Sequence, residues 1–277
     1  MRCLWPGFPA EASISIERED EWVLAIQYLD HQRLALTRPY DPKLPPRPWT
    51  SADQQSIVQH FSGLAAAYPK ADHEAADWGS RAEQELFLDD LLSLADLQGK
   101  RIVDLGCGSG AVLRQLQSKG VSVKSYGGFE INPSAMAKAQ HDFPPQIHPH
   151  VRWQNADCFV LDLESQPEAP DWVVASGLFG VRPKTWSHDE FTGLALGKLA
   201  QWGRWAKAGV LFNFIPAYDP SLQAMLDLKA DTAAVTYHRM ERLWVVRTLR
   251  ELGFSVAGQP DNVNRMMVQC PLRFRLG

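Results

Sequence analysis

Cysteine is scarce in this chain, and the few present carry no metal signature. Cys3, Cys107, Cys158 and Cys270 stand far apart among 277 residues, so no pair has ligand spacing and no disulfide framework is implied. His141, His148 and His150 fall in a proline-rich stretch away from any expected strand end, so no metal is expected there either. A reduced, cytoplasmic setting is the expectation. Long apolar runs are also missing: none approaches the roughly 20 residues needed to span a bilayer, which excludes a membrane partner of the helix-spanning kind. The opening MRCLWPGFPAEA has two prolines where an export signal needs an unbroken apolar core. Basic surplus is lacking as well. With 28 Lys and Arg against 32 Asp and Glu, the net charge is −4, and no nucleic acid is expected as a partner.

What is present is concentrated between Arg101 and Gly110, RIVDLGCGSG. A short apolar run ends in Asp104. Glycines follow at alternate positions, Gly106, Gly108 and Gly110, and a helical pattern, AVLRQLQSKG, begins at once. A strand, a glycine turn and a helix N-terminus together cradle a nucleotide-like ligand, because the backbone can approach the ligand closely and its amides point at it. GCGSGA also satisfies the dinucleotide fingerprint G-x-G-x-x-G/A, so the turn alone leaves a nicotinamide cofactor open.

The downstream spacing repeats the signal. Gly120 reads as the residue that closes the helix. The next strand, VSVKSYGGFE, ends at Glu130, followed by Ile131; an acid there can accept hydrogen bonds from both hydroxyls of a ribose. Asn132 and Pro133 read as the N-cap and first residue of another helix. A third strand, VRWQNAD, runs into Asp157, Cys158 and Phe159, and a fourth, DWVVASGLFG, into Ser176 and Gly177. Four successive strand ends thus carry Asp/Gly, Glu, Asp and Ser/Gly, and ligands of open α/β sheets gather outside such ends.

D-x-G-x-G-x-G with this register resembles the first motif of class I S-adenosylmethionine (SAM) methyltransferases. With the WGS-x3-Q segment, the SGLF strand end and the FNF strand, it looks like a bacterial small-molecule branch of that superfamily. The resemblance covers about residues 78–277. It implies an α/β fold with a doubly wound, mostly parallel seven-stranded sheet and an antiparallel terminal hairpin. It also implies SAM as cofactor, with the glycine turn facing the methionine half, Glu130 the ribose, and Asp157 the adenine amino group while Cys158 and Phe159 read the ring edge. Ser176 and Gly177 then lie beside the sulfonium. Trp78, Arg81 and Gln84, at a capped helix start, are placed to meet the methionine carboxylate.

Residues 1–50 fall outside the resemblance. They read as a small N-terminal extension, a meander or an amphipathic helix over 20–36, closed by the stiff run PYDPKLPPRP; its expected role is packing or dimerisation, and the latter would make the protein a homodimer. The methyltransferase domain is expected over 51–277. Ser51 is the expected N-cap of its first helix, and Ser80 to Glu83 reads as a capping box ahead of a helix burying Leu88, Leu91, Leu92 and Ala95. Ten tryptophans is a high count; Trp186, Trp202, Trp205 and Trp244 are expected chiefly in the core.

Methyl transfer from a sulfonium needs alignment more than side-chain chemistry, so catalytic residues are hard to see. The candidates are Asn213, Tyr218, Asp219, Tyr237, His238 and Glu241, with His238, Asn213 and Tyr218 foremost and His238 the candidate base. The expected acceptor is an N or O nucleophile on a small polar metabolite, with Arg182, Lys184 and Arg239 available for its carboxylate. Two other readings use the same motifs: a nicotinamide-dependent oxidoreductase, for which no Tyr-x-x-x-Lys relay is found, and a non-catalytic SAM-binding protein. The Asn/Asp-Pro-Pro-aromatic turn of base-amino methylation is replaced by SGLF.

Overall fold

The computed structural model describes residues 47–162, 168–216, 234–240, 242–256 and 268–274. The chain divides into two compact units, Met1–Leu44 and Pro45–Gly277. The expected N-terminal meander or helix lies outside the described residues, as do Tyr218, Asp219 and Glu241.

The second unit is an α/β fold. Its strands are β1 (Arg101–Leu105), β2 (Ser125–Glu130), β3 (Val151–Asn155), β4 (Trp172–Ala175), β5 (Val181–Pro183), β6 (Gly209–Pro216), β7 (Val235–Tyr237), β8 (Arg239–Met240), β9 (Phe254–Val256) and β10 (Val268–Phe274). Its helices are α1 (Ser51–Ala67), α2 (Asp72–Ala75), α3 (Arg81–Leu92), α4 (Ala111–Ser118), α5 (Pro133–Asp142), α6 (His188–Trp205) and α7 (Arg242–Glu251). The main sheet runs β3-β2-β1-β4-β6-β10-β9. The first five strands are parallel, and β10 is antiparallel to both of its neighbours. The mostly parallel sheet and its reversed last strand are those the sequence implied, but with β8 the sheet has eight strands among the described residues rather than seven. Three short strands were not anticipated: β5 and β7 form a separate antiparallel pair, and β8 joins the end of β6. Segments of two or three residues are too short to carry a period, and only tertiary pairing creates them.

Strand alternation sends side chains to two separate cores. Trp172, Val174 and Leu211 pack on one face with Leu88, Leu91 and Leu92 of α3 and Leu113 and Leu116 of α4. Val173, Ala175, Phe212 and Phe214 pack on the other with Leu194, Leu199 and Trp202 of α6 and Val245 and Leu249 of α7. Trp186 and Trp202 are fully buried, and Trp205 and Trp244 pack against the same core.

Local chemistry sets the boundaries. Thr50, not Ser51, caps α1: its hydroxyl accepts from the Asp53 amide while the Asp53 carboxylate accepts from the Thr50 amide. Ser80 accepts from the Glu83 amide, but the Glu83 carboxylate reaches back to Gly79, so the box closes one residue early. Asn132 caps α5 through the Ser134 amide, with Pro133 at its first position. Gly120, at φ +70°, ends the turn after α4. The sheet winds outward in both directions from between β1 and β4, so the ligand crevice opens at their carboxyl ends, beyond Leu105 and Ala175.

Candidate functional site

A cavity of about 320 Å³ occupies that crevice. It is lined by the β1–α4 turn (Asp104, Gly106, Cys107, Gly108, Ser109), by Phe129 to Asn132 at the end of β2, by Ala156 to Phe159 after β3, and by Ser176 to Leu178 after β4. Of the residues read from sequence as cofactor-binding, Trp78, Gln84, Asp104, Gly106, Cys107, Gly108, Glu130, Ile131, Asp157, Cys158, Phe159, Ser176 and Gly177 all line it. Gly110 stands just behind, starting α4 at φ +86°. Arg81 does not reach the cavity. It is exposed and borders a separate polar hollow with Asp89, Arg114 and Lys119, because the first residue of α3 points outward.

The glycine turn is held from β2. The Gly106 and Cys107 amides both donate to the Phe129 carbonyl, at 2.8 and 3.0 Å. Glu130 Oε2 accepts from the Gly108 amide at 2.9 Å, and Oε1 from the Asn132 amide at 2.7 Å. Glu130 thus ties the turn to the start of α5 as well as facing the cavity. Its burial pushes the carboxyl above the ordinary range, against backbone amides of Asn132, Gly108 and Ile131 that favour the anion. Gly108 has φ +55°, and nothing lies within 4 Å of where a Cβ would stand, so its bare side opens onto space a ligand can fill.

Asp104 is 1% exposed, and the Tyr126 hydroxyl donates to its Oδ2. Burial pushes its carboxyl up to about 7, with the nearby Glu130 charge adding to the rise and Tyr126 opposing it. Burial likewise pushes the Cys107 and Cys158 thiols well above their usual value, so both are protonated packing groups.

Asp157 Oδ1 accepts from the Phe159 amide at 2.8 Å, as a strand-end acid does. Its Oδ2 accepts from the Trp49 indole at 2.7 Å. A carboxylate has room for a further donor on its remaining lone pairs. Trp49 also packs on Phe159, Trp186 and Phe191. Sequence reasoning assigned Trp49 to the linker; no local pattern reveals that an indole will cross to an acid more than a hundred positions away.

The wall opposite the glycine turn was missed for the same reason. α1 places Ile57, Phe61 and Ala65, one helical turn apart, on the cavity, and Tyr68 and Pro69 continue the wall. This helix packs against β5, β7 and α5, so it runs across the crevice. Its apolar stripe reads in sequence like any core-facing stripe. Val181 and Phe191 complete an apolar side.

The catalytic candidates fare differently. Asn213 is fully buried outside the cavity lining: its Oδ1 accepts from the Gly177 amide at 2.6 Å, and its Nδ2 donates to Ser176 Oγ at 3.1 Å. It shapes the β4 end rather than facing a ligand. His238 is also fully buried, edge-on to Phe191 and paired through Nε2 with Thr192 at 3.1 Å. Burial pushes its imidazole well below the ordinary range, and it is not among the lining residues, so it is a core histidine. Arg182, Lys184 and Arg239 do not line the cavity either; the Arg182 guanidinium donates to the Trp186 carbonyl, and Arg239 lies over the Tyr237 ring. Among the described residues no group of three or more His, Cys, Asp and Glu is arranged for a metal. Among them, too, no helix is long and apolar enough to cross a membrane.

Comparison with known proteins agrees with this geometry. Residues 102–190 match the family model of the methyltransferase domain. No curated protein matches the chain. Among solved structures it is similar to magnesium protoporphyrin IX methyltransferase from Synechocystis PCC 6803, with bound SAM, at 14% identity and TM-score 0.53, covering 80% of this chain and 97% of that one. It is also similar to an O-methyltransferase family protein from Burkholderia thailandensis, at 16% identity and TM-score 0.57, covering 92% and 71% of the two chains. At such identities the likeness is one of fold. The glycine turn, Glu130, Asp157 and the β4 end all fall inside the segment, residues 102–190, that is similar to the methyltransferase domain.

Proposed function

We propose that the protein transfers a methyl group from SAM to an N or O nucleophile of a small molecule by direct displacement. The observation that carries this reading is the crevice itself. A left-handed glycine turn with open space at Gly108, a buried acid at the end of β2 and another after β3 converge on one cavity. SAM supplies an activated methyl group on a sulfonium. The chain's own part is to hold and orient it: Gly108 permits close approach, Glu130 takes the ribose hydroxyls, Asp157 takes the adenine amino group beside Phe159, and Trp78 and Gln84 face the methionine end. Asn213 fixes Ser176 and Gly177 beside the reacting centre. α1 covers the crevice and excludes water, which favours orientation-driven transfer. The cavity size and the covering helix support a small acceptor rather than a nucleic acid or other polymer. A cytoplasmic location and a homodimer built on the N-terminal extension, residues 1–50, belong to the same proposal.

The test is incubation of the protein with labelled SAM and a metabolite extract, with products read by mass spectrometry. Label in a small molecule is expected. Label only in protein or nucleic acid contradicts the acceptor class, and none at all, with SAM bound, favours a non-catalytic binder.

Two outcomes follow from the acids. Glu130→Ala removes the acceptor of the Gly108 and Asn132 amides, so SAM affinity falls by about 1.5–3 kcal/mol, the scale of a charge-assisted hydrogen bond. The melting temperature falls too, since two buried amides lose their partner. Calorimetry and thermal melting check both; unchanged affinity in a folded variant contradicts the ribose role. Asp104, with its carboxyl at about 7, is neutral below that pH and anionic above it. An anion favours a cationic ligand, so SAM affinity should rise as pH increases through about 7. Tyr126→Phe removes the donor that stabilises the anion, so the rise should move to higher pH. A flat titration between about pH 6 and 8 contradicts the assignment.

A further inference from the structure

The segment ahead of α1 carries into the cavity one side chain that the glycine-turn motif does not supply. Trp49 lines the cavity and donates its indole N–H to Asp157 Oδ2 at 2.7 Å. Its neighbours on both sides are pinned. Thr50 caps α1 and shares its capping box with Asp53. Asp53 is 2% exposed and accepts from the Arg47 guanidinium and from the Thr185 hydroxyl, each at 3.2 Å. Arg47 also donates to the Thr185 carbonyl at 2.6 Å and lies over the Trp186 ring. The Trp49 ring itself packs on Phe159, Trp186 and Phe191. An indole held in this way keeps its N–H aimed at one acceptor.

The acid it meets is equally constrained. Asp157 is 5% exposed, lines the cavity, and accepts from the Phe159 amide through Oδ1 at 2.8 Å. A separate donor on each oxygen fixes the rotation of the carboxylate and leaves a lone pair on each for a ligand. Burial pushes the Asp157 carboxyl up, while the Phe159 amide, the Trp49 indole and the Lys198 charge pull it back toward the anion. Resting on the methyl-transfer reading above, with Asp157 as its adenine acid, we propose that Trp49 is a positioning residue that sets the base specificity of the cofactor site: it holds Asp157 as a pure acceptor, so that the site takes adenine and turns away hypoxanthine. The amino group of adenine donates to a waiting lone pair. The carbonyl oxygen that replaces it in hypoxanthine brings lone pairs against lone pairs, and both groups go unpaired. Without the indole, the carboxyl is free to turn or to take up a proton, and as an O–H donor it would pair with the hypoxanthine carbonyl as well.

The probes are S-adenosylhomocysteine and S-inosylhomocysteine, which carry adenine and hypoxanthine on the same frame, each titrated by calorimetry into the full chain. Wild type should prefer the adenosyl ligand by about 100-fold, the scale of a hydrogen bond to a charged group. Trp49→Phe keeps an aromatic ring but loses the donor, and the preference should fall by about tenfold. Replacing Trp49 by its benzothiophene isostere keeps the shape of the ring without the N–H. It should give the same fall, and it decides the matter if Trp49→Phe fails to fold. Asp157→Asn should erase the preference, and adding Trp49→Phe to it should change the preference no further, since the two act through one contact. A further change in the double variant overturns the route through Asp157. A merely structural indole would lower the melting temperature and weaken both ligands alike, so an unchanged preference in a folded Trp49 variant overturns the proposal. Equal binding of the two ligands by wild type overturns it too and leaves the SAM reading standing, whereas failure of wild type to bind S-adenosylhomocysteine overturns the SAM reading itself.

Discussion

Gly108→Asn should fold like wild type and lose SAM binding by roughly two orders of magnitude, about 2.7 kcal/mol. The backbone there has φ +55°, a conformation that asparagine adopts more readily than other side chains. No protein atom lies within 4 Å of the added Cβ, so the folded chain has room for it. The room is the ligand's. The side chain would stand on the open side of the turn whose amide is held by Glu130. Thermal melting without ligand and calorimetry with SAM separate the two effects. A variant that melts normally and binds SAM normally would mean that the cofactor does not approach this turn.

Gly128→Ala should do the reverse and strike stability first. A Cβ at this β2 position would stand 2.4 Å from Cε3 and Cζ3 of Trp153 and 2.9 Å from Cys107 Sγ. The indole cannot swing away freely: its Nε1 donates to the Phe143 carbonyl at 3.2 Å, and its ring sits edge-on to Tyr126 and tilted against Phe143. Cys107 belongs to the glycine turn, so any shift on that side propagates into the cavity. Overpacking of this kind costs about 1–3 kcal/mol or more. At about 2–4 °C per kcal/mol for chains of this order, the melting temperature should fall by roughly 5–10 °C. An unchanged melting curve would mean that the β2–β3 packing around Trp153 is looser than described.

The two glycines mark how far the sequence could be read. Gly108 belongs to a run whose spacing announces a turn, and its place on the cavity was legible because the motif, the preceding strand and the following helix are contiguous. The same holds for Glu130 and Asp157, which stand at the ends of predicted strands. Gly128 carried no such signal: its smallness answers to Trp153 on the neighbouring strand. Trp49 and the Ile57–Phe61–Ala65 stripe were illegible for a related reason. They build the cavity from a helix and linker packed across the sheet ends, and an apolar stripe is written identically whether it faces a core or a ligand. Asn213 and His238 stand outside the cavity lining. Polar residues near a strand end were expected to face the ligand, but burial and mutual hydrogen bonds absorbed them into the scaffold.

The central claim, that the crevice holds SAM, is tested most directly by thermal-shift titration of the full chain with SAM, S-adenosylhomocysteine, NAD and NADP. A ligand at 100 times its dissociation constant stabilises the folded state by about 2.7 kcal/mol, a shift of roughly 5 °C or more. SAM and S-adenosylhomocysteine should each produce that shift at micromolar affinity, and the nicotinamide cofactors none. A shift with NAD or NADP and none with SAM would contradict the account.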